Sequence, residues 1–289
     1  MALSLEKSPR LRELKLTLRI LGRNPSAVAG GIIIVFMLLL ALSAGWLAPY
    51  DPIRISLGER LSGPSPAHWF GTDEMGRDIL SRVMFGARIS LRIGLVIVFI
   101  AGLTGSLIGA VSGYFGRRTD NIIMRIMDVI LSFPSLVLAM ALAAALGPSL
   151  NNAILAVAFV MIPKFARMVR GEALAVREMP FIAAARVSGA RHYWIILHHL
   201  LPNCLNSVIV LATLTLGDTI LIAAGLSFIG LGAQPPTPEW GAMIAVGRKF
   251  IMDQWWYAAF PGLFILTTVV GFNILGDALR DVLDPRIRR

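Results

Sequence analysis

The sequence predicts an all-α integral membrane protein with six transmembrane helices. Three observations carry that prediction. Hydrophobic residues make up 56% of the 289 residues and charged residues only 15%, with a mean hydropathy of +0.73, too apolar for a water-soluble domain of this length. The apolar residues gather into runs of about 20, the length that crosses a hydrocarbon core at about 1.5 Å per helical residue. Lysine and arginine gather in alternate loops, as expected of a chain that threads a membrane repeatedly.

The spans are expected at Ser26–Pro49, Ile93–Tyr114, Ile122–Leu146, Ala153–Val169, Cys204–Leu231 and Trp255–Leu275. Residues 1–25 are basic, and Leu11, Leu14, Leu18 and Leu21 recur on one helical face with Arg12, Lys15, Arg19 and Arg23 on another. That pattern suits either a surface-lying amphipathic arm or a plain cytoplasmic anchor. The following run, 26–49, is too long for a signal-peptide core and reads as a retained first span. Residues 50–87 form an extracytoplasmic loop, 88–280 a five-helix core, and 281–289 a cytoplasmic tail.

In the second span Gly105, Gly109 and Gly113 recur every four residues, a row that admits close approach of another helix. Pro134 is expected to bend the third span, near an Arg125–Asp128 pair at i,i+3. Pro163 and Lys164 interrupt the fourth, so Lys164 is assigned to the loop that follows it.

Orientation follows from the basic residues. One side holds the arm, Arg117 and Arg118, the loop residues Lys164, Arg167, Arg170, Arg177, Arg186 and Arg191, and the tail residues Arg280, Arg286, Arg288 and Arg289. The opposite loops hold Arg54, Arg60, Arg77, Arg82, Arg248 and Lys249. Both termini and the loop 170–203 are therefore expected in the cytoplasm. The same distribution explains the net charge of +10 without nucleic acid, which would call for a basic patch interleaved with aromatic and polar side chains.

Catalytic motifs do not emerge. A phosphate-cradling G-x-x-x-x-G-K-[ST] loop, H-E-x-x-H and G-x-S-x-G are all missing, so no catalytic residue is assigned. Cys204 is the single cysteine, and His68, His192, His198 and His199 fall on opposite sides of the membrane, which argues against a metal site. Asp218 lies inside the fifth span and is a candidate for the translocation path, because an intramembrane charge is costly unless it faces water or a partner. With Asp277 it could form an aspartyl-protease pair, or alone it could serve an ion-coupled carrier. The expected difference in depth argues against the pair.

Three segments remain as interaction candidates. The outer loop contains GTDEMGRD, with Asp73, Glu74, Arg77 and Asp78, in a spacing unlike a calcium loop. A second outer loop contains AQPPTPEWG, where Pro235, Pro236, Glu239 and Trp240 suit a stiff docking surface with the tryptophan at the membrane interface. The cytoplasmic stretch FIAAARVSGARHYWIILHHLLP begins after Pro180, a residue suited to a first helical turn, and Gly189 is expected to stop that helix. Ala183, Ala184 and Ala185 leave little side-chain bulk, Phe181 adds contact area, and Arg186 and Arg191 supply charge. A second short helix is expected over Arg191–Leu200, ended by Pro202.

This stretch resembles the EAA loop of ABC-type importer permeases through Ala184, Ala185, Gly189, Leu201 and Pro202, with Ala183 where the family carries glutamate. GTDEMGRD, AQPPTPEWG and NILGDALRDVLDPR (Asn273–Arg286) are similar to the C-type permease of the dipeptide, oligopeptide and nickel importers. The resemblance implies a MetI-like permease fold and a peptide importer, with nickel, glutathione and D,D-dipeptide transport as alternatives. It implies a second homologous permease, two cytoplasmic ATP-binding subunits holding ATP and Mg, and an extracytoplasmic solute-binding protein, with no cofactor in this chain. It also implies that Phe181, Ala183–Arg186, Gly189 and Arg191 form a coupling helix against the ATPase.

Overall fold

The computed structural model describes residues 22–283, and within them the chain is helical without a named strand. The amphipathic arm and the last residues of the tail lie outside the described residues. The helices are α1 (Pro25–Leu47), α2 (Ile79–Phe115), α3 (Arg117–Leu131), α4 (Ser135–Leu146), α5 (Leu150–Val176) and α6 (Pro180–Val187). They are followed by α7 (His192–Ile229), α8 (Trp240–Gly247) and α9 (Trp256–Leu283). Five are long and apolar enough to cross a membrane, and α3 with α4 makes a sixth span if the bent pair is counted as one.

The break between α3 and α4 turns the chain by 89°. Pro134 causes it: it lacks an N–H, disfavours helical geometry at Phe133, and caps the start of α4. Pro163, by contrast, lies inside an unbroken α5. Lys164 is thus a residue of the helix interior and not of the loop after it. Asp128 is paired with Arg167 (2.5 Å) in place of Arg125.

The expected glycine row does bring two helices together, and both belong to this chain. A Cβ on Gly105 would lie 2.6 Å from the Ile162 carbonyl, and one on Gly109 would lie 2.3 Å from that of Ala166. Backbone contact of this kind between α2 and α5 forms the centre of the bundle, with α7 and α1 against α2 and with α9 against α7 and α1. The outer surface is apolar: Ile32, Phe36, Leu39 and Leu42 of α1 face away from the bundle, while Ala27, Ile34, Met37 and Ala41 face in. An apolar exterior and an interior of small residues is the arrangement that lipid solvates.

Helix α2 starts at Ile79, well before the expected Ile93, so the outer loop ends at 78 and not at 87. Arg82, Arg88 and Arg92 break the apolar run there, which hides the helix from a hydropathy reading. The Asp78 carboxylate caps it by accepting from the Ser81 N–H at 2.7 Å, and Ile79, Val83 and Ala87 are fully buried. Pro202 does not end the helix before the fifth span either. Residues Ile196–Leu200 widen into a π turn immediately before it, and the helix continues to Ile229. A wider turn rearranges the hydrogen-bond ladder where the proline has no N–H to offer.

Candidate functional site

The stretch 180–189 folds as a short helix held on a small apolar seat. Pro180 occupies the first turn of α6, and the chain leaves it through Gly189 at φ +78, left-handed geometry that favours glycine. Ile182 is fully buried in a cluster with Ala110 and Tyr114 of α2, Val169 and Ala173 of α5, and Ile195 and Leu200 of α7. Burying that side chain contributes about 1.5–3 kcal/mol. Arg186 lies over the Tyr114 ring at 5.0 Å, and the Tyr114 hydroxyl is 2.8 Å from His192 Nδ1. The end of α6 and the start of α7 thereby meet at one tyrosine on α2.

The opposite face of α6 is open. Phe181, Ala183, Ala184 and Val187 are exposed, Val187 by 89%, and Met179, Tyr193, Trp194 and Leu197 extend the apolar surface. Arg191 and Gly189 are exposed at its end, while Ala185 is half-buried. Beneath the seat, Arg170 donates to both oxygens of Asp120 at 2.7 and 2.5 Å, and Ser112 donates to the same carboxylate. This fork joins α5 to α3 and α2.

The motifs expected on the outer side are packed inward. Asp73 is fully buried, with Arg77 Nε at 2.6 Å and Arg82 Nε at 3.4 Å. Arg77 also reaches Glu74 at 2.9 Å, and Glu74 accepts from the Tyr257 hydroxyl of α9. Arg82 donates to the Pro52 carbonyl at 2.8 Å and to that of Pro236 at 3.4 Å, joining the two outer loops. Asp78 accepts the Ser81 N–H and lies 2.9 Å from His68 Nδ1, so His68 is buried and not solvated.

Trp240 is fully buried, and its Nε1 donates to the Val83 carbonyl at 3.0 Å. It does not sit at a membrane interface. Glu239 is the N-cap of α8, accepting from Gly241 and Ala242 N–H groups. Burial pushes its carboxyl above the usual range, against the pull of those two donors. Of the residues singled out in these loops, Pro235 and Pro236 are exposed; Asp73, Arg77, Asp78, Glu239 and Trp240 shape the loops from within.

Asp218 is paired with Lys164 at 3.6 Å, and their side chains are 53% and 45% exposed. Asp277 is closer in depth than expected, since Gly276 packs on Leu214, about one turn from Asp218. The two aspartates are nonetheless not hydrogen-bonded, and the partner of Asp218 is the lysine. Sequence reasoning missed Lys164, because Pro163 and Lys164 were read as an interruption of the span and the lysine was counted with the loop, and Ile182, whose burial has no signature in an alanine-rich segment.

Residues 105–289 match the family described as the binding-protein-dependent transport system inner membrane component. This chain belongs to that family. As a permease subunit of a binding-protein-dependent importer, it also matches, over residues 13–64, the N-terminal transmembrane domain of oligopeptide transport permease C. It is 55% identical to a probable D,D-dipeptide transport system permease protein, DdpC, of Escherichia coli K12, covering 97% of this chain and 94% of the relative. It is 47% identical to the dipeptide transport system permease protein DppC of Alkalihalophilus pseudofirmus, over 93% and 88%. Against the glutathione transport system permease protein GsiD of Pectobacterium atrosepticum the identity is 43%, over 92% and 89%. The permease also aligns with an inward-facing MetNI methionine ABC transporter chain at a TM-score of 0.49 and 22% identity, covering 67% of this chain and 94% of the other.

Proposed function

We propose that this permease imports short peptides, D,D-dipeptides first among them, and that α6 is the coupling helix through which ATP hydrolysis in partner subunits drives it. The observation that carries the coupling assignment is the division of α6 into a buried side, anchored by Ile182, and an exposed side of Phe181, Ala183, Ala184 and Val187. Small exposed residues let a helix sink into a groove, and the aromatic residues beside them add contact area. The substrate class rests on the dipeptide and glutathione names carried by the relatives, with the highest of the three identities at 55% for the D,D-dipeptide permease.

The full machine comprises this chain, a second homologous permease, two ATP-binding subunits with their ATP and Mg, and an extracytoplasmic binding protein. The chain contributes no covalent chemistry. It converts closure of the ATPases into alternating access by rigid-body movement of its spans. The basic residues Arg117, Arg118, Arg170, Arg177, Arg186 and Arg191 cluster at one end of the bundle, which supports cytoplasmic termini and a cytoplasmic α6.

The test is Ala184→Arg, a bulky charge on the exposed face, in the reconstituted complex. Insertion and copurification of the second permease persist, while ATP-driven peptide uptake falls to background. Uptake at the wild-type rate would remove α6 from the coupling path.

A further inference from the structure

The Lys164–Asp218 pair stands out by where it lies. Lys164 is about 20 Å from either end of α5 at ~1.5 Å per residue, well inside a helix apolar enough to cross a membrane, and Asp218 lies within α7, about 16 Å before its end at Ile229. Charges at such depth are costly in lipid and are retained where they face water, a partner or a solute. Neither is packed away, since about half of each side chain is exposed.

Both line a cleft of about 220 Å³ at the break between α3 and α4. Leu131 and Ser135 flank the break on one side of this cleft, with Met161 of α5 and Leu221 of α7 nearby. At 3.6 Å the two charges are close but not hydrogen-bonded, and among the described residues neither side chain has a hydrogen-bond partner. Each keeps its donors or acceptors free. About one helical turn further along α5, Arg167 makes a second exposed pair with Asp128 of α3, this one hydrogen-bonded at 2.5 Å.

A broken span beside an open charge pair inside the membrane is a recurrent way of building a solute site, because the break frees backbone and the charges provide polarity. We propose that Lys164 and Asp218 form a transient subsite for a zwitterionic solute. Lys164 receives its carboxylate and Asp218 its ammonium group, the solute charges exchanging with the pair as it passes. This rests on the peptide-import reading above and adds two contact residues to it. An apolar cleft wall with a single paired cation and anion fits a short peptide with free termini, whose two charges cancel as the pair's do. A metal cation or an anion would leave one member of the pair opposed.

The experiment compares Lys164→Gln, Asp218→Asn, the neutral double variant and Lys164→Arg in the complete complex in liposomes, loaded with ATP and supplied with D-alanyl-D-alanine. Copurification of the second permease is measured in parallel. The double variant leaves no lone charge in the membrane, so it assembles. We expect both single variants and the double variant to lose about tenfold or more in uptake, the value of one charge-assisted contact. Lys164→Arg retains most of it. A double variant that transports like the wild type would reduce the pair to a structural ion pair and overturn the proposal. Loss of the second permease from the variant complexes would make the pair a subunit contact and overturn it equally. If the wild-type complex itself accumulates no peptide, the import reading fails and the subsite falls with it. Wild-type uptake with an active double variant refutes the subsite alone.

Discussion

The two ends of this bundle are built in opposite ways. At the outer end Asp73, Arg77, Arg82 and Glu74 form a chain of charges under the loops, tied to Tyr257 of α9 and to the Pro52 and Pro236 carbonyls. At the inner end α6 rests on one buried isoleucine and turns a face of alanines and large apolar residues outward. The difference teaches where rigidity and contact are each needed. Buried ion pairs hold geometry because removing one partner is expensive, whereas the exposed face of α6 is left uncommitted within this chain, as the proposed contact with a partner requires.

The comparison can be broken first at the outer end. Asp73→Ala leaves Arg77 and Arg82 buried without their shared carboxylate. The expected loss is about 3–5 kcal/mol, read as a large fall in the thermal midpoint of the detergent-purified protein. A midpoint within a degree of wild type would mean that the outer charges are solvated and that the contrast is false.

Ile182→Ala tests the inner seat. It removes the one fully buried side chain of α6 and should cost about 2–3 kcal/mol in local stability. Because the bundle does not depend on α6, hydrogen exchange should rise in 180–189 while α2 and α5 stay protected, and peptide-stimulated ATP hydrolysis should drop. Equal deprotection of the whole bundle would show that the seat is part of the main core.

The smallest effect is expected at Gly189. No neighbour lies within 4 Å of a Cβ placed there, so Gly189→Ala meets only the left-handed backbone cost of about 1–2 kcal/mol. It should reduce coupled uptake modestly while leaving the thermal midpoint unchanged. A defect as large as that of Ala184→Arg would point to direct contact at the glycine.

The spans were legible because lipid imposes length and apolarity on every one of them. The Gly105–Gly113 row was also readable, since close backbone approach requires missing side chains. Harder to see was the start of α2, where Arg82 and Arg88 look like loop charges until Asp73 and the Ala41 and Leu42 carbonyls are found to accept from or pair with them. Lys164 was hidden for a related reason: a proline in the middle of a membrane helix can be tolerated where neighbouring helices support it, and sequence alone does not say when.

By itself the sequence determined the class and the apolar spans, and it singled out residues 181–202 as an interaction candidate, because each follows from local composition and order. The tertiary structure decided which charged residues are struts and which are available. Asp73 and Arg77 read like surface docking groups and are buried together; Asp218 reads as a lone charge and is paired with a lysine from another helix. Whether a charge is consumed within the fold depends on residues distant in sequence, and one dimension carries no record of what stands beside it.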